Sequence, residues 1–407
     1  MKNKKTIIIF VLVLIVSNIL SFSASNYLAV SANDKVIIPS TEYKILKEVY
    51  ENNKKVVQVR RAIDELYLRD FDENDLLEGQ LKGMVNALND PYSVYMTKDE
   101  YERFNTETEG EYGGIGIIVT PGDDNLITVV SPIEDTPAEK AGIQTGDKII
   151  RVDGKEYFAE NMDEAVKVMR GEPNTDVVLT ILRKDKSGET ITFDVEITRK
   201  IIKLISVKSE LLDDDIGYIR ITSFDMNTAD DFKKQLKDLE RNNAKGLIID
   251  LRNNPGGLLN VCADVADELL DKGVIVYTED KNGNREYLYS DSNMTKLPIV
   301  VLVNEGSASA SEILAGAIKD HQRGVLVGTT TFGKGVVQRL RDFPDGSGLK
   351  ITVSEYFTPN GINIHGIGIT PDVVVELNEE VEEIGIGNLE NDNQLQKAIE
   401  VLKGKMN

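Results

Sequence analysis

Between Ile201 and Glu376 short apolar runs alternate with helical patterns, and this alternation constrains the fold more than any other feature of the chain. Ile216 to Ile221, Gly246 to Leu251 and Ile299 to Val303 are apolar almost throughout, without the in–out alternation of a half-solvated strand. Such strands are covered on both faces, as in parallel βαβ units whose connecting helices lie against the sheet. Helical patterns at Thr228 to Asn242, Leu258 to Leu270 and Ala310 to Asp320 follow the three runs in turn. Gly335 to Leu340 and Leu349 to Tyr356 flank Asp345-Gly346-Ser347-Gly348 as a hairpin. The tail after Glu376 is acidic, then helical from Asn391 to Gly404.

Upstream the pattern differs. Lys2, Lys4 and Lys5 precede an apolar run from Thr6 to about Phe22. Basic residues stay on the cytoplasmic side, so everything downstream is expected outside the cytoplasm. The run is near the lower limit for spanning a bilayer. It predicts a single-pass N-terminal membrane anchor, with Val30-Ser31-Ala32 as a cleavage site should the segment instead be a signal peptide. From Ser40 to about Glu100 the chain is helical and charged, with stripes at Val57, Ile63, Leu66 and Leu68 and at Leu76, Leu77, Leu81, Met84, Val85 and Leu88. These stripes fit either plain packing or a homodimerisation arm. Asn89-Asp90-Pro91-Tyr92-Ser93 then supplies turn chemistry.

Gly110 to about Arg199 reads as short strands with one or two helices, including a helix from Met162 to Met169. Gly113-Gly114-Ile115-Gly116-Ile117, Pro137-Ala138-Glu139-Lys140-Ala141-Gly142 with Gly146-Asp147, and Val152-Asp153-Gly154 occur in that order. This stretch resembles a PDZ domain. The glycine loop exposes backbone N–H groups able to bind a terminal carboxylate, and the edge strand after it can pair with an extended peptide. Arg170, at the end of the helix, is a cation that could meet a substrate carboxylate, or simply a surface charge.

The net charge of −21 argues against a nucleic-acid partner, because nothing basic is available to displace phosphate counterions. Cys262 is the sole cysteine, so no intrachain disulfide forms, and a small buried thiol is expected of it. No cysteine–histidine cluster has metal-ligand spacing, and neither metal nor cofactor is expected.

The chemistry centres on Glu305-Gly306-Ser307-Ala308-Ser309-Ala310-Ser311-Glu312, at a strand–turn–helix junction, followed by Gly333-Lys334-Gly335-Val336-Val337-Gln338. A serine hydroxyl needs a neighbouring base, and a desolvated neutral lysine can be one. A helix start aims the side chain above the sheet and offers N–H groups to an oxyanion. The same residues fit a capping box, with Ser309 as N-cap and Glu312 reaching back, and Ser307 and Ser311 are rival nucleophiles. Strand alternation puts Lys334 and Gln338 on one side, where the glutamine could orient the amine without adding charge. Only two histidines, His321 and His365, are available to an alternative base.

Together these stretches, with Leu251-Arg252-Asn253-Asn254-Pro255-Gly256-Gly257 and Gly366-Ile367-Gly368-Ile369-Thr370-Pro371-Asp372, resemble the carboxyl-terminal processing peptidases, or tail-specific proteases, from about Glu42 to Glu376. The resemblance implies Ser309 as nucleophile, Lys334 as base, Gln338 as the residue orienting the lysine, and the amides of Ala310 and of Gly256 or Gly257 as oxyanion-hole donors. It also implies a PDZ module that binds the carboxyl terminus of a protein substrate and regulates activity. The fold class expected is α+β multidomain: a crotonase-like α/β protease core, an inserted PDZ domain (a small β-sandwich or barrel) and a helical N-terminal arm. The expected segments are 1–32 (anchor or signal), 33–109 (helical region), 110–199 (PDZ), 200–376 (core) and 377–407 (tail). A catalytically idle PDZ scaffold and a hydrolase of small esters are the alternatives.

Overall fold

The structure, a computed structural model, describes residues 2–27, 30–32, 35–184, 188–381 and 383–406. The chain forms two compact units, residues 1–77 and 78–407.

In the first unit, helices Lys2–Tyr27 and Ser40–Leu66 are separated by a hairpin of Val30–Ala32 and Lys35–Ile37. Among the described residues, no helix is long and apolar enough to cross a membrane, so the expected anchor finds no support here. Polar Ser17, Asn18 and Ser21 interrupt the apolar run, and Asn18 turns its side chain back onto the Leu14 carbonyl at 2.8 Å. Helix Ser40–Leu66 buries none of its residues, and Leu66 and Leu68 are 79% and 91% exposed rather than packed.

In the second unit, strands Val207–Leu212, Ile216–Ile221, Gly246–Asp250, Ile299–Val303, Gly324–Gly328 and Val373–Val374 form the central sheet in that order. Every pairing after the first is parallel, as the apolar runs demand. Fully burying each Ile, Leu or Val side chain contributes about 1.5–3 kcal/mol, so both faces must be covered. Helices Thr228–Arg241, Leu259–Asp267 and Ala310–Asp320 pack on one face around Phe232, Leu236, Val265 and Leu314. Helix Asn393–Met406 covers the other, setting Leu395, Ala398 and Leu402 against Ile248, Val300 and Leu302. The C-terminal tail is thus part of the core.

A second, antiparallel sheet carries Arg285–Ser290, Gly273–Asp280, Gly348–Phe357 and Val336–Asp342 in that order, with Val94–Met96 also pairing to Gly348–Phe357. The hairpin read from the sequence is the Val336–Asp342/Gly348–Phe357 pair. Helix Lys98–Glu109 starts on a capping box from Thr97 and Glu100 and stops at Gly110, which takes the left-handed conformation (φ 72°). Strands Glu111–Gly114 and Lys200–Lys203 then pair as a two-stranded stalk at the two ends of the PDZ module. Inside it, strands Thr190–Thr198, Asp176–Lys184, Lys148–Val152, Ile127–Pro132 and Ile117–Pro121 form a sheet, with helix Met162–Met169 beside it and Ile127, Ile149, Leu179 and Ile181 as its core.

Candidate active site

Ser309 stands between the end of strand Ile299–Val303 and helix Ala310–Asp320, with φ 54° and ψ −114°. A non-glycine residue adopts such a conformation only when its surroundings impose it, at a cost of about 1–3 kcal/mol. The Glu312 half of the capping box forms, its carboxylate accepting the Ser309 amide at 2.9 Å, but the Glu312 amide goes to the Ser309 carbonyl at 2.9 Å. The Ser309 hydroxyl lies at the helix start without a well-formed hydrogen bond to it, and the residue is partly exposed. Its two rivals are occupied. Ser307 is fully buried, donating to the Leu251 carbonyl at 2.8 Å and accepting from the Asn304 amide at 3.0 Å. Ser311 is equally buried and donates to the Asn254 carbonyl at 2.9 Å.

Glu312, completely buried, ties the site together. One oxygen accepts from the Thr331 hydroxyl at 2.6 Å and the Gly333 amide at 2.7 Å. The other accepts from the amides of Ser309 and Lys334, both at 2.9 Å. The sequence marked Glu312 only as a capping partner. Three of its four donors, from Thr331, Gly333 and Lys334, lie 19 to 22 residues downstream, and no local pattern could have shown them.

Lys334 lies in the loop ahead of strand Val336–Asp342. Burial pushes its amine below the usual lysine range, and repulsion from Lys350 adds to this, while Asp90 and Glu312 pull the other way. Its Nζ sits 5.0 Å from the centroid of the Tyr92 ring. Because the strand starts at Val336, Lys334 and Gln338 do not share a strand face as expected. The ladder also skips Val353 opposite Val337 and Gln338. The Gln338 side-chain amide donates to Thr352 Oγ1 at 3.3 Å. Among the described residues, no hydrogen bond joins Lys334 Nζ to Ser309 or to Gln338.

The turn Asn89-Asp90-Pro91-Tyr92-Ser93 closes one side of this region. Asp90 accepts from the Tyr92 amide at 3.0 Å and the Ser93 hydroxyl at 2.6 Å, and Ser93 Oγ accepts the Thr352 amide at 3.0 Å. Burial raises the Asp90 carboxyl, but the Ser93 and Thr352 hydroxyls, the Tyr92 amide and the nearby His365 outweigh it and hold the carboxyl below its ordinary value. An open cleft of about 570 Å³ lies here, lined by Asp90, Tyr92, Phe332, Val336, Thr352 and His365 among others. His365 Nδ1 accepts the Gly335 amide at 3.3 Å, and its ring meets Tyr92 edge-on at 6.1 Å. His321 caps the Ala310–Asp320 helix, with Nε2 2.8 Å from the Val274 carbonyl.

The loop Leu251–Gly257 abuts the serine. A Cβ on Gly256 would fall 2.8 Å from Ser309 Cβ and 2.9 Å from the Ala310 nitrogen, and Gly256 has φ 102°. Of the three expected oxyanion amides, that of Gly256 is engaged by Asn254 Oδ1 at 2.8 Å. Cys262 is buried, its thiol pushed well up by desolvation and donating to the Ala310 carbonyl at 3.0 Å.

In the PDZ module, Ile115, Gly116, Ile117, Val119, Val166 and Met169 line a groove, with Tyr112 and Arg170 beside them. Gly113 and Gly114 do not belong to it. They lie in the stalk strand, where Gly113 approaches Gly171 so closely that a Cβ would stand 2.1 Å from its carbonyl oxygen. The Arg170 guanidinium stacks 4.6 Å over the Tyr112 ring.

Residues 215–375 match peptidase family S41, residues 128–183 match the PDZ domain, and residues 14–100 match the activating protease CtpB N-terminal domain. A carboxy-terminal-processing protease of Bartonella bacilliformis is 44% identical over 313 residues, which cover 75% of this chain and 70% of that protein. Carboxy-terminal processing protease CtpA of Bacillus subtilis is 39% identical over 337 residues, 81% of this chain and 71% of that one. This chain belongs to the carboxy-terminal processing proteases of peptidase family S41. A probable CtpA-like serine protease of Staphylococcus haemolyticus is 39% identical, with 81% of this chain and 66% of that protein covered. A solved structure titled photosystem II D1 C-terminal processing protease aligns at 31% identity, 82% of this chain and 89% of that one, with a TM-score of 0.47. As a PDZ-bearing serine peptidase of the S41 family, the chain has protein or peptide substrates.

Proposed function

We propose that this S41 peptidase is an extracytoplasmic endopeptidase cleaving proteins near their carboxyl termini, with Ser309 as nucleophile, Lys334 as general base and Gln338 orienting the lysine. The observation that carries this is the contrast among the three serines: only Ser309 is partly exposed, held in a strained helix-start conformation, with its hydroxyl uncommitted to capping. Neutral Lys334 takes the hydroxyl proton as Ser309 Oγ attacks the scissile carbonyl. The amides of Gly257 and Ala310 face the oxyanion, the ammonium returns its proton to the leaving amine, and water attacks the resulting ester with the same base. Nζ and Oγ must approach for this, a tightening common between free and substrate-bound enzymes.

Ile115, Gly116 and Ile117 supply the groove for a substrate tail, with Arg170 available to its carboxylate. Lys2, Lys4 and Lys5 ahead of the apolar run support export.

The test is cleavage of an unstructured protein with and without an apolar carboxyl-terminal tail, by wild type and Ser309→Ala. Tail-dependent cleavage lost in Ser309→Ala is expected. The uncoupled Ser309 and Lys334 also fit an idle PDZ scaffold, and tail binding by wild type without cleavage would favour that reading.

A further inference from the structure

The loop that abuts Ser309 is rooted in a buried charge cluster completed by the C-terminal tail. Arg252, 1% exposed, donates to Asp250 through Nε at 2.9 Å and Nη2 at 2.6 Å. It donates to Asp392 through Nη1 at 2.8 Å and Nη2 at 2.7 Å, and to Gln394 Oε1 at 3.1 Å. Every guanidinium N–H is thereby engaged. Asp250 also accepts the Tyr218 hydroxyl at 2.8 Å. Asp392 accepts the amides of Gly385 at 2.7 Å and Leu395 at 3.0 Å, which makes it the N-terminal cap of helix Asn393–Met406. Both carboxylates have no exposed surface.

Two carboxylates on one guanidinium leave a net buried charge, and burying ions is costly even when they are paired. For holding the helix on the sheet alone, an apolar contact would serve as well. What the cluster adds is direction. Arg252 is the charged anchor at the root of Asn253 (φ 58°), Gly256 (φ 102°) and Gly257 (φ 147°), a backbone course that local preference does not impose. Beyond it Asn253 accepts from the Asn304 side chain at 2.8 Å and Asn254 donates to the Ile221 carbonyl at 2.9 Å. That course brings the Asn254 carbonyl to the Ala308 amide at 3.0 Å and Gly256 against Ser309.

We propose that Asp392 is a positioning residue for catalysis. It fixes the Arg252 fork from the tail side, and so fixes the oxyanion loop over Ser309. This rests on the Ser309 mechanism above.

The test compares wild type, Asp392→Asn, Leu402→Ala and Ser309→Ala, all full length. Leu402→Ala loosens the same helix without touching the charges. Asp392→Asn is expected to lower kcat about tenfold or more with KM little changed, the signature of lost transition-state stabilisation. Amide exchange across 252–257 should accelerate in step. Leu402→Ala, at a matching fall in Tm, should keep both near wild type. Should Asp392→Asn not fold, Gln394→Leu, which removes one Arg252 acceptor and keeps every charge, is expected to show the same two changes to a smaller degree. Unchanged kcat and exchange in Asp392→Asn, or in Gln394→Leu where that variant is used, or equal losses in Leu402→Ala, would overturn the proposal. Full activity in Ser309→Ala would instead overturn the underlying mechanism, and the exchange readout would still decide whether Asp392 holds the loop.

Discussion

Glu312→Gln changes one unit of charge at the point where Ser309 and Lys334, the proposed nucleophile and base, are tied together. The carboxylate accepts four hydrogen bonds, from Thr331 Oγ1 and the amides of Gly333, Ser309 and Lys334. A glutamine of the same shape presents one accepting oxygen and one donating NH2, so two of these four donors would face another donor. Hydrogen bonds to charged groups contribute about 1.5–3 kcal/mol each, so losing two costs about 3–6 kcal/mol before relaxation. In a unit of this size that lowers Tm on the order of 10 °C. Whichever oxygen is replaced, the loop carrying Lys334 loses an amide acceptor, at Gly333 or at Lys334 itself, so kcat should fall roughly a hundredfold, the usual scale for misplacing reacting groups by about 1 Å. The residual activity carries a signature of opposite sense. The Glu312 charge raises the Lys334 pKa, so its removal lets that pKa fall further and moves the acid limb of the pH–rate profile to lower pH. Thermal unfolding and a pH series of peptide cleavage read both effects. An unchanged Tm with wild-type cleavage would refute the account of Glu312 as a clamp, and an acid limb moving to higher pH would refute the electrostatic part.

Lys350→Met removes the repulsion that helps to depress Lys334, so the acid limb should move to higher pH, opposite to Glu312→Gln. A limb that stays in place would show that Lys350 does not act on the base. Gly256→Ala sets a methyl group 2.8 Å from Ser309 Cβ at a left-handed backbone position, and cleavage should fall by roughly a hundredfold while peptide binding to the PDZ module is preserved. Arg170→Ala should weaken binding of a free-carboxylate tail peptide and leave the amidated peptide's weaker binding unchanged, by calorimetry. Equal affinities in both proteins would reduce Arg170 to its stacking on Tyr112.

Much of the fold could be read from the chain because its signals are local. The strands Ile216–Ile221 and Ile299–Val303 and the helices Met162–Met169 and Ala310–Asp320 fall where apolar periodicity and turn residues place them. What escaped depends on distance. Ser307, Ser309 and Ser311 look alike in sequence, and only the carbonyls of Leu251 and Asn254 distinguish them by occupying the outer two. Glu312 reads locally as a cap because its partners Gly333 and Lys334 arrive from another element. Gly113 and Gly114 read as part of the carboxylate loop because glycine signals close approach without saying to what, and their neighbour is the stalk and Gly171. Asp392 sits in an acidic tail where one carboxylate resembles any other. Strand alternation puts Gln338 beside Lys334 only if the strand includes both, and it begins at Val336.

The central claim, a serine activated by a neutral lysine, is tested most directly by labelling with a fluorophosphonate across a pH series. The modified residue would be located by mass spectrometry in wild type, Lys334→Ala and His365→Ala. The account predicts modification at Ser309 with a rate that rises with pH as Lys334 deprotonates, persists in His365→Ala, and is lost in Lys334→Ala. Labelling of Ser309 that survives in Lys334→Ala and disappears in His365→Ala, or that falls on Ser307 or Ser311 instead, would contradict it.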